Sequence, residues 1–522
     1  MISALFHVAR LARATYVLAR EGVFGVVDAS TVPPPAQPLL RAARLIERRG
    51  AASGEQLSHA LTRLGPAYLK LGQFLATRPD VVGPVMAQNL ETLQDRLPPF
   101  PQADAEAVIA ASLERPLKEA FASLGPAVAA ASIAQVHRGV AVSRGDKKDF
   151  AVKVLRPNVG ARFRRDLSDF FYVAGKAEKH SAEARRLRLI EVIATMQRAV
   201  AMEMDLRLEA AAMSEMAENT RNDPEFRVPQ VDWDRTSQSV LTMEWIDGIA
   251  LNDRTALEKA GVDLQDLGRK VIQSFLRHAL RDGFFHADMH PGNLFVDDQG
   301  RLVAVDFGIM GRLGIKERRF LAEILLGFIT RNYRRVAEVH FEAGYVPAHH
   351  SVENFAQAIR AIGEPIHNRT AEEISMARLL SLLLEVTALF DMRTRPELIL
   401  LQKTMVVVEG VARSFDPRLD IWSTADPVVR EWIERNLGPI GKIEGALSGI
   451  GELGKVLGSL PDLVTRSAAT VAQIETMTRE GIVLAPETVS AIARAQAERG
   501  YWRTAGIWLV ALTFIALLWK LS

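Results

Sequence analysis

The stretch "HADMHPGNLFVDDQGRLVAVDFG", His286 to Gly308, holds three polar residues whose spacing decides how the chain is read. Asp288 and Asn293 are five positions apart, and Asp306 follows Asn293 by thirteen. Between them, "NLFV" and "RLVAV" read as short strands joined by the turn Asp297–Gly300, and such a hairpin returns Asp306 beside Asn293. An amide and a carboxylate converging on Mg²⁺, with a second carboxylate facing an attacking oxygen, suits phosphoryl transfer, which asks for charge neutralisation more than covalent chemistry from side chains. His286 and His290 stand at the i, i+4 spacing of a helical metal pair, but Pro291 and Gly292 mark a loop and argue against zinc.

Upstream, "FAVKVLRP" places Lys153 in a strand otherwise apolar on both faces, where phosphate contact explains a lysine best. "SIAQVHRGVAV" precedes it, and the turn "SRGDKKD" between them predicts a hairpin. The segment "AVAAASIAQVHRG", Ala127 to Gly139, sits where a phosphate-gripping loop belongs, yet it holds three consecutive alanines and no glycine until its end. Alanine's methyl closes conformations open to glycine, which implies a restrained nucleotide loop. A helical pattern runs from about residue 182 to 219 and carries Glu203, Asp205 and Glu209. Glu209 is the expected partner of Lys153. "RVPQVDW" and "QSVLTMEWI" read as two more strands, and "LTMEWIDG" as a hinge whose Glu244 and Trp245 offer main-chain hydrogen bonds to adenine. From Leu257 the pattern is helical apart from the His286–Gly308 region. Strands, a helix, more strands and then a helical half give an α+β, two-lobed plan like that of a protein kinase.

With these residues in view, the chain resembles the UbiB (aarF-type) family of atypical, protein-kinase-like proteins. "YLKLGQFLATRPD" matches the family's KxGQ motif through Lys70, Gly72 and Gln73; "AAAS", Ala129 to Ser132, its alanine-rich loop; "EMD", Glu203 and Asp205, its ExD motif. The match covers roughly residues 40 to 430. The resemblance implies an ATP-binding, Mg²⁺-dependent protein that supports ubiquinone biosynthesis at a membrane, with activity closer to ATP hydrolysis than to protein phosphorylation. It implies that Lys153 and the loop Ala129, Ala130, Ala131 and Ser132 meet the nucleotide, that Glu209 pairs with Lys153, and that Asn293 and Asp306 hold Mg²⁺. Asp288 takes the catalytic-base position. Lys70 and Gln73 belong to a helical extension that covers the site where a protein substrate would dock, and Glu203 and Asp205 join them as regulatory positions. Two other readings stay open: a small-molecule kinase of the aminoglycoside or choline phosphotransferase type, and a nucleotide-binding pseudokinase scaffold.

The bulk composition agrees with a multidomain globular chain. It has 522 residues, 48% hydrophobic and 24% charged, with a formal net charge of +2 that argues against a general nucleic-acid binder. The absence of cysteine excludes disulfides, thiolate metal sites and Cys nucleophiles. Expected boundaries are an amphipathic basic segment and linker over 1–38, helices over 39–125, an N-lobe over 126–247, a C-lobe over 248–435, amphipathic helices over 436–502 and a transmembrane helix over 503–520. The first helix, with Arg10, Arg13 and Arg20, suits either a membrane surface or the protein's own core. The last rests on the uncharged run Thr504–Trp519 between Arg503 and Lys520. With Arg494, Arg499 and Arg503 before it, it predicts an inner-membrane protein of a bacterium with its catalytic part in the cytoplasm. Membrane lipid, quinone precursors and ubiquinone-biosynthesis enzymes are the expected partners, and a homodimer is kept open. "GIGELGK", Gly449 to Lys455, imitates a phosphate loop but follows no strand and reads as an amphipathic helix.

Overall fold

The computed structural model describes residues 2–26, 37–47, 53–76, 97–143, 146–180, 182–366, 389–392 and 396–437, with single positions at 82, 90 and 386. The expected helices beyond 437, the "GIGELGK" segment and the run 503–520 lie outside the described residues. Among those described, no helix is long and apolar enough to cross a membrane. Two compact units divide the described residues: those within 2–208 together with 232–243, and those within 209–231 together with 244–437.

The first unit opens with α1 (Ile2–Arg20), α2 (Gln37–Leu45), α3 (Ser53–Leu64) and α4 (Pro66–Ala76), followed by α5 (Gln102–Ser112) and the single turn α6 (Leu117–Ala120). Helix α1 packs on the protein itself. Leu11, Ala14 and Ala19 are buried, and Arg10 turns inward to make paired hydrogen bonds with the enclosed Asp169, at 2.7 and 2.6 Å. Its outer face carries Phe6, Arg13 and Tyr16.

Strands β1 (Ser123–Ala130), β2 (Ala134–Ser143) and β3 (Asp146–Leu155) follow. The β2–β3 hairpin forms as expected, antiparallel in unbroken register from Ser143↔Asp146 to Ala134↔Leu155. The predicted polar turn is shorter than its sequence suggests, because Lys147 and Lys148 already pair within β3. Strand β1 is an element the sequence did not announce. Gly125 and Pro126 interrupt its pattern, and the register slips across them, between Leu124 and Ala127, and again between Ala127 and Ala129. Proline is tolerated because β1 lies at the sheet edge. Phe121, Phe150, Val152, Val154 and Val240 pack under the sheet with Ile109 of α5.

The long helical pattern of 182–219 is not one helix. After α7 (Val159–His180) come α8 (Ala182–Leu187), α9 (Leu189–Glu203) and α10 (Leu206–Asn219). Arg188 adopts a left-handed backbone at φ 50°, which ends α8, and Met204 and Asp205 separate α9 from α10. "RVPQVDW" also departs from expectation. Only β4 (Phe226–Arg227) is strand, paired in parallel with residues 302–303, while Trp233 starts a 3-10 turn. Pro229 has no N–H to give a ladder. Strand β5 (Val240–Glu244) joins the first unit's sheet, in the order β1-β2-β3-β5.

In the second unit, β6 (Gly248–Ala250), α11 (Arg254–Lys259) and α12 (Leu264–Arg277) lead through a π-turn at His278–Asp282 into β7 (Phe284–His286). Strands β8 (Leu294–Asp297), β9 (Leu302–Ala304) and β10 (Met310–Arg312) follow. A four-stranded sheet runs β4-β9-β8-β6, and β7 pairs with β10. Helices α13 (Ile315–Ile329), α14 (Tyr333–Glu342), α15 (Val352–Gly363), α16 (Pro396–Phe415) and α17 (Ile421–Leu437) complete the unit. Tyr333, Val336, Phe355, Ile359 and Phe390 form one of its apolar cores.

Where β10 crosses β7, Gly311 faces Phe285, a ring buried edge-on against Phe275 at 5.6 Å. A Cβ at Gly311 would lie 2.1 Å from that ring, whereas one at Gly175 on α7 meets nothing within 4 Å. Gly311→Ala should therefore lower stability by about 1–3 kcal/mol. Gly175→Ala should leave it unchanged or raise it by about 0.5–1 kcal/mol, both read from thermal denaturation.

Candidate functional site

The second unit assembles the carboxylates that the sequence predicted. Strands β8 and β9 pair as Leu294↔Ala304, Phe295↔Val303 and Val296↔Leu302. The turn is closed by Asp297, whose Oδ1 accepts the N–H groups of Gln299 and Arg301, and by Gly300 at φ 73°. One residue beyond the ladder, the Val305 N–H donates to the Asn293 carbonyl at 3.0 Å, so Asp306 emerges next to Asn293. Asn293 Nδ2 donates to the Asp288 carbonyl and to its Oδ2, both at 3.2 Å. Asp288, Asn293 and Asp306 are thus neighbours, as the spacing predicted.

His286 lies beneath them, almost wholly buried. Its Nδ1 accepts the Asp288 N–H at 3.1 Å, which places the ring proton on Nε2. Burial pushes its pKa below the usual histidine range, although Asp306 and Asp288 pull the other way. The ring also meets Phe307 edge-on at 5.2 Å. His290 is occupied separately, its Nδ1 accepting the Gly292 N–H. The two histidines stand in a strand end and a loop, not on one helix face, in line with the argument against a zinc pair. Thr404 of α16, also buried, donates to the Ala287 carbonyl at 3.1 Å and braces the loop.

Glu209 is buried in the same unit, and its Oε1 accepts the Phe307 N–H at 3.4 Å. Its carboxylate therefore holds the backbone that follows Asp306, a role the sequence did not reveal. Lys153 belongs to the other unit, so its pairing with Glu209 remains a proposal. The Glu244 N–H donates to the Gln230 carbonyl at 2.8 Å, and its carboxylate takes Arg227 and the Gln230 N–H. That N–H is engaged because the chain after β4 runs beside it. Trp245 gives its indole N–H to Asp247 at 3.0 Å.

In the first unit, Lys153 sits half-buried on β3 opposite Val136, between the buried Val152 and Val154. The alanine loop is smaller than the motif. Ala129 and Ala130 belong to β1, paired with Val136 and Gln135, and the Ala131 N–H closes onto the Ala134 carbonyl at 2.8 Å. Ser132 is fully enclosed, and its hydroxyl finds no hydrogen-bond partner among the described residues. Its side chain is thus not displayed on a nucleotide-facing surface. Arg156 fixes this loop from the far side. Its Nη2 donates to the Ala131 and Pro98 carbonyls, both at 2.8 Å, its Nε to Ala131 at 3.1 Å, and its backbone N–H to Ile133. Gln135 binds both backbone groups of Phe100, at 2.9 and 3.3 Å, and reaches His137 at 2.8 Å.

The extension meets this unit through a buried ion pair. Lys70 Nζ of α4 lies 2.8 Å from Glu203 Oε2 at the end of α9, with side chains 13% and 22% exposed. Tyr68 adds an edge-on contact with Phe170 at 5.0 Å. Gln73 is half-buried on the same helix. Asp205 does something different from Glu203: its carboxylate takes the Arg207 guanidinium at 2.8 and 2.6 Å and accepts the Arg207 N–H at the start of α10. The Arg207 bond first of all holds its pKa below the usual carboxylate range. The two acids of one motif are therefore split between an inter-helix pair and a helix start.

A strand lysine behind a tight alanine loop, and a hairpin that sets an amide beside a carboxylate, define a protein-kinase-like domain of atypical type. The sequence pattern of the ABC1 atypical kinase-like domain matches residues 92–340, and that of the UbiB helical domain matches 359–420. A probable protein kinase UbiB of Marinobacter nauticus is 41% identical over 442 residues, covering 83% of this chain and 80% of the relative. One of Azotobacter vinelandii is 38% identical over 421 residues, covering 79% and 78%. The chain belongs to the UbiB family of atypical kinase-like proteins. A solved structure of Rv3197 with erythromycin, from Mycobacterium tuberculosis, overlaps 76% of this chain and 97% of its own at 22% identity and a TM-score of 0.47.

If Lys70 and Glu203 hold α4 to α9, truncating either leaves a partly buried charge without its partner. Lys70→Met and Glu203→Gln should each destabilise, and the double variant should cost less than their sum. A coupling energy of about 0.5–3 kcal/mol is expected from denaturation midpoints; additive single effects would show that the pair contributes nothing.

Proposed function

We propose that this protein is an atypical kinase-fold ATPase that binds Mg²⁺-ATP and serves ubiquinone biosynthesis at the bacterial inner membrane. The observation that carries the reading is the placing of Asn293, Asp306 and Asp288 side by side over the neutral His286. Asn293 spends its amide nitrogen on Asp288, which leaves Oδ1 for a cation. With the Asp306 carboxylate it offers hard oxygen ligands, the set that suits Mg²⁺. The metal nucleotide would supply the phosphoryl group and the cation that neutralises it.

The chain's own residues then have distinct tasks. Asn293 and Asp306 would hold Mg²⁺, Lys153 would take phosphate charge, and Glu209 would fix the backbone after Asp306. Asp288, 44% exposed and oriented by Asn293, accepts the proton of an attacking water or hydroxyl. Ala129, Ala130 and Ala131 line the nucleotide with methyl groups, while Ser132 contributes through its backbone. The grip of Arg156 on the Ala131 carbonyl keeps the loop in one geometry and restrains transfer to proteins. Glu244 and Trp245 would serve adenine through main-chain groups other than the engaged Glu244 N–H. Lys70, Gln73, Glu203 and Asp205 act as restraint and not as chemistry. The uncharged run Thr504–Trp519 anchors the chain, with its catalytic part in the cytoplasm beside membrane lipid, hydrophobic quinone precursors and the enzymes that process them.

Asp306→Asn should abolish the thermal stabilisation that Mg²⁺-ATP gives the wild type, and retained stabilisation would contradict the metal assignment. Ala130→Gly or Ala131→Gly should raise autophosphorylation and weaken the role in quinone biosynthesis, read as ubiquinone content in a complemented strain. Unchanged values in both assays would refute the restraint. ATP hydrolysis measured with and without liposomes or a phenolic lipid should rise in their presence.

A further inference from the structure

The second unit carries a second group of ligand-bearing side chains that shares no residue with the phosphoryl-transfer site. The loop between α14 and α15 holds two consecutive histidines, and Asp391 comes to both of them. His350 Nε2 lies 3.2 Å from Asp391 Oδ2, and His349 Nε2 lies 3.7 Å from the same oxygen. The three ligand atoms all fall within 4.8 Å of one another. For metal bonds of roughly 2.0–2.1 Å, neighbouring ligands of a tetrahedral ion stand about 3.3 Å apart. The two measured separations bracket that edge.

An ordinary His–Asp ion pair explains the arrangement poorly. It needs one imidazole, whereas here two rings close on one oxygen with their centroids 4.2 Å apart. One divalent cation accepting both Nε2 lone pairs and the carboxylate oxygen satisfies all three groups at once. Nitrogen, nitrogen and oxygen together favour zinc and similar transition metals over Mg²⁺.

The ligands are mounted on the core. Phe390, buried, packs edge-on against Phe355 at 4.9 Å and lies 5.3 Å from the His350 ring. Asp391 follows it with φ 48°, a left-handed backbone that non-glycine residues seldom adopt, and this turns the chain at the carboxylate. On the other side, the His350 N–H donates to the Pro347 carbonyl, and Ser351 Oγ caps α15 by accepting the Asn354 N–H. Both sides of the site are therefore set before any ion arrives.

We propose that His349, His350 and Asp391 bind one transition-metal ion of the zinc type. Three protein ligands leave a fourth position for water or for a group from a partner, and it opens to solvent because His349 and Asp391 are 67% and 68% exposed.

The full chain, stripped with a chelator and titrated with Zn²⁺ alone by calorimetry, should take up one equivalent with a dissociation constant of roughly micromolar order, undisturbed by excess Mg²⁺. Changes one shell outside a metal cost about 10–100-fold in affinity, so His350→Ala or Asp391→Asn should lose at least as much. His59→Ala, at an exposed histidine of α3, should bind as the wild type. As a measurement independent of variants, Zn²⁺ should protect His349 and His350 of the wild type, but not His59, from diethyl pyrocarbonate. Uptake only at millimolar zinc, uptake unchanged by the substitutions, or absence of protection would each overturn the proposal.

Discussion

A single backbone bond, from the Val305 N–H to the Asn293 carbonyl, carries the β8–β9 register past the last ladder pair and up to Asp306. Side chains alternate along a strand, so a slip of one residue would turn the Asp306 carboxylate to the opposite face. The register is held from two directions. Apolar Leu294, Val296, Leu302 and Ala304 are buried, and the Asp297 carboxylate closes the turn. Beneath the hairpin, the neutral His286, the buried Glu209 and Thr404 leave few alternatives for the loop and for the backbone after Asp306. Within this buried polar network the His286 Nε2 finds no hydrogen-bond partner among the described residues, and a buried polar group left unmet in this way costs free energy.

The first unit holds its alanine loop by a different means. A glycine-rich loop is adaptable because it lacks side chains; this one is short, paired into β1 through Ala130, and gripped by the Arg156 guanidinium at the Ala131 carbonyl. That guanidinium also holds the Pro98 carbonyl, and Gln135 holds both backbone groups of Phe100. Stiffness is thus supplied twice, by methyl groups and by hydrogen bonds to the chain entering the domain. The Lys70–Glu203 pair extends the same logic to the helices that precede it.

Much of the architecture was readable where the signal is local. The β2–β3 hairpin, the turn at Asp297–Gly300 and the helical second half follow from alternation, turn residues and three-to-four periodicity. Reading failed where neighbours in space are far apart in sequence. Strand β1 hides behind Gly125 and Pro126, which only its edge position makes acceptable. The helical pattern over 182–219 gave no sign of the left-handed Arg188, and "RVPQVDW" keeps only Arg227 in a strand, beside residues 302–303, a partner that no local pattern reveals.

By itself, the sequence determined the motif order, the hairpin that unites Asn293 with Asp306, the placement of Lys153 in an apolar strand and the membership of a kinase-like family. Only the tertiary structure decided which acid each base meets: Glu203 with Lys70, Asp169 with Arg10, Asp391 with two histidines. The reason lies in range. Strand alternation, turn geometry and helix periodicity act over a few residues and leave a mark on each of them, whereas an ion pair depends on packing between elements and leaves no spacing in the chain that records it.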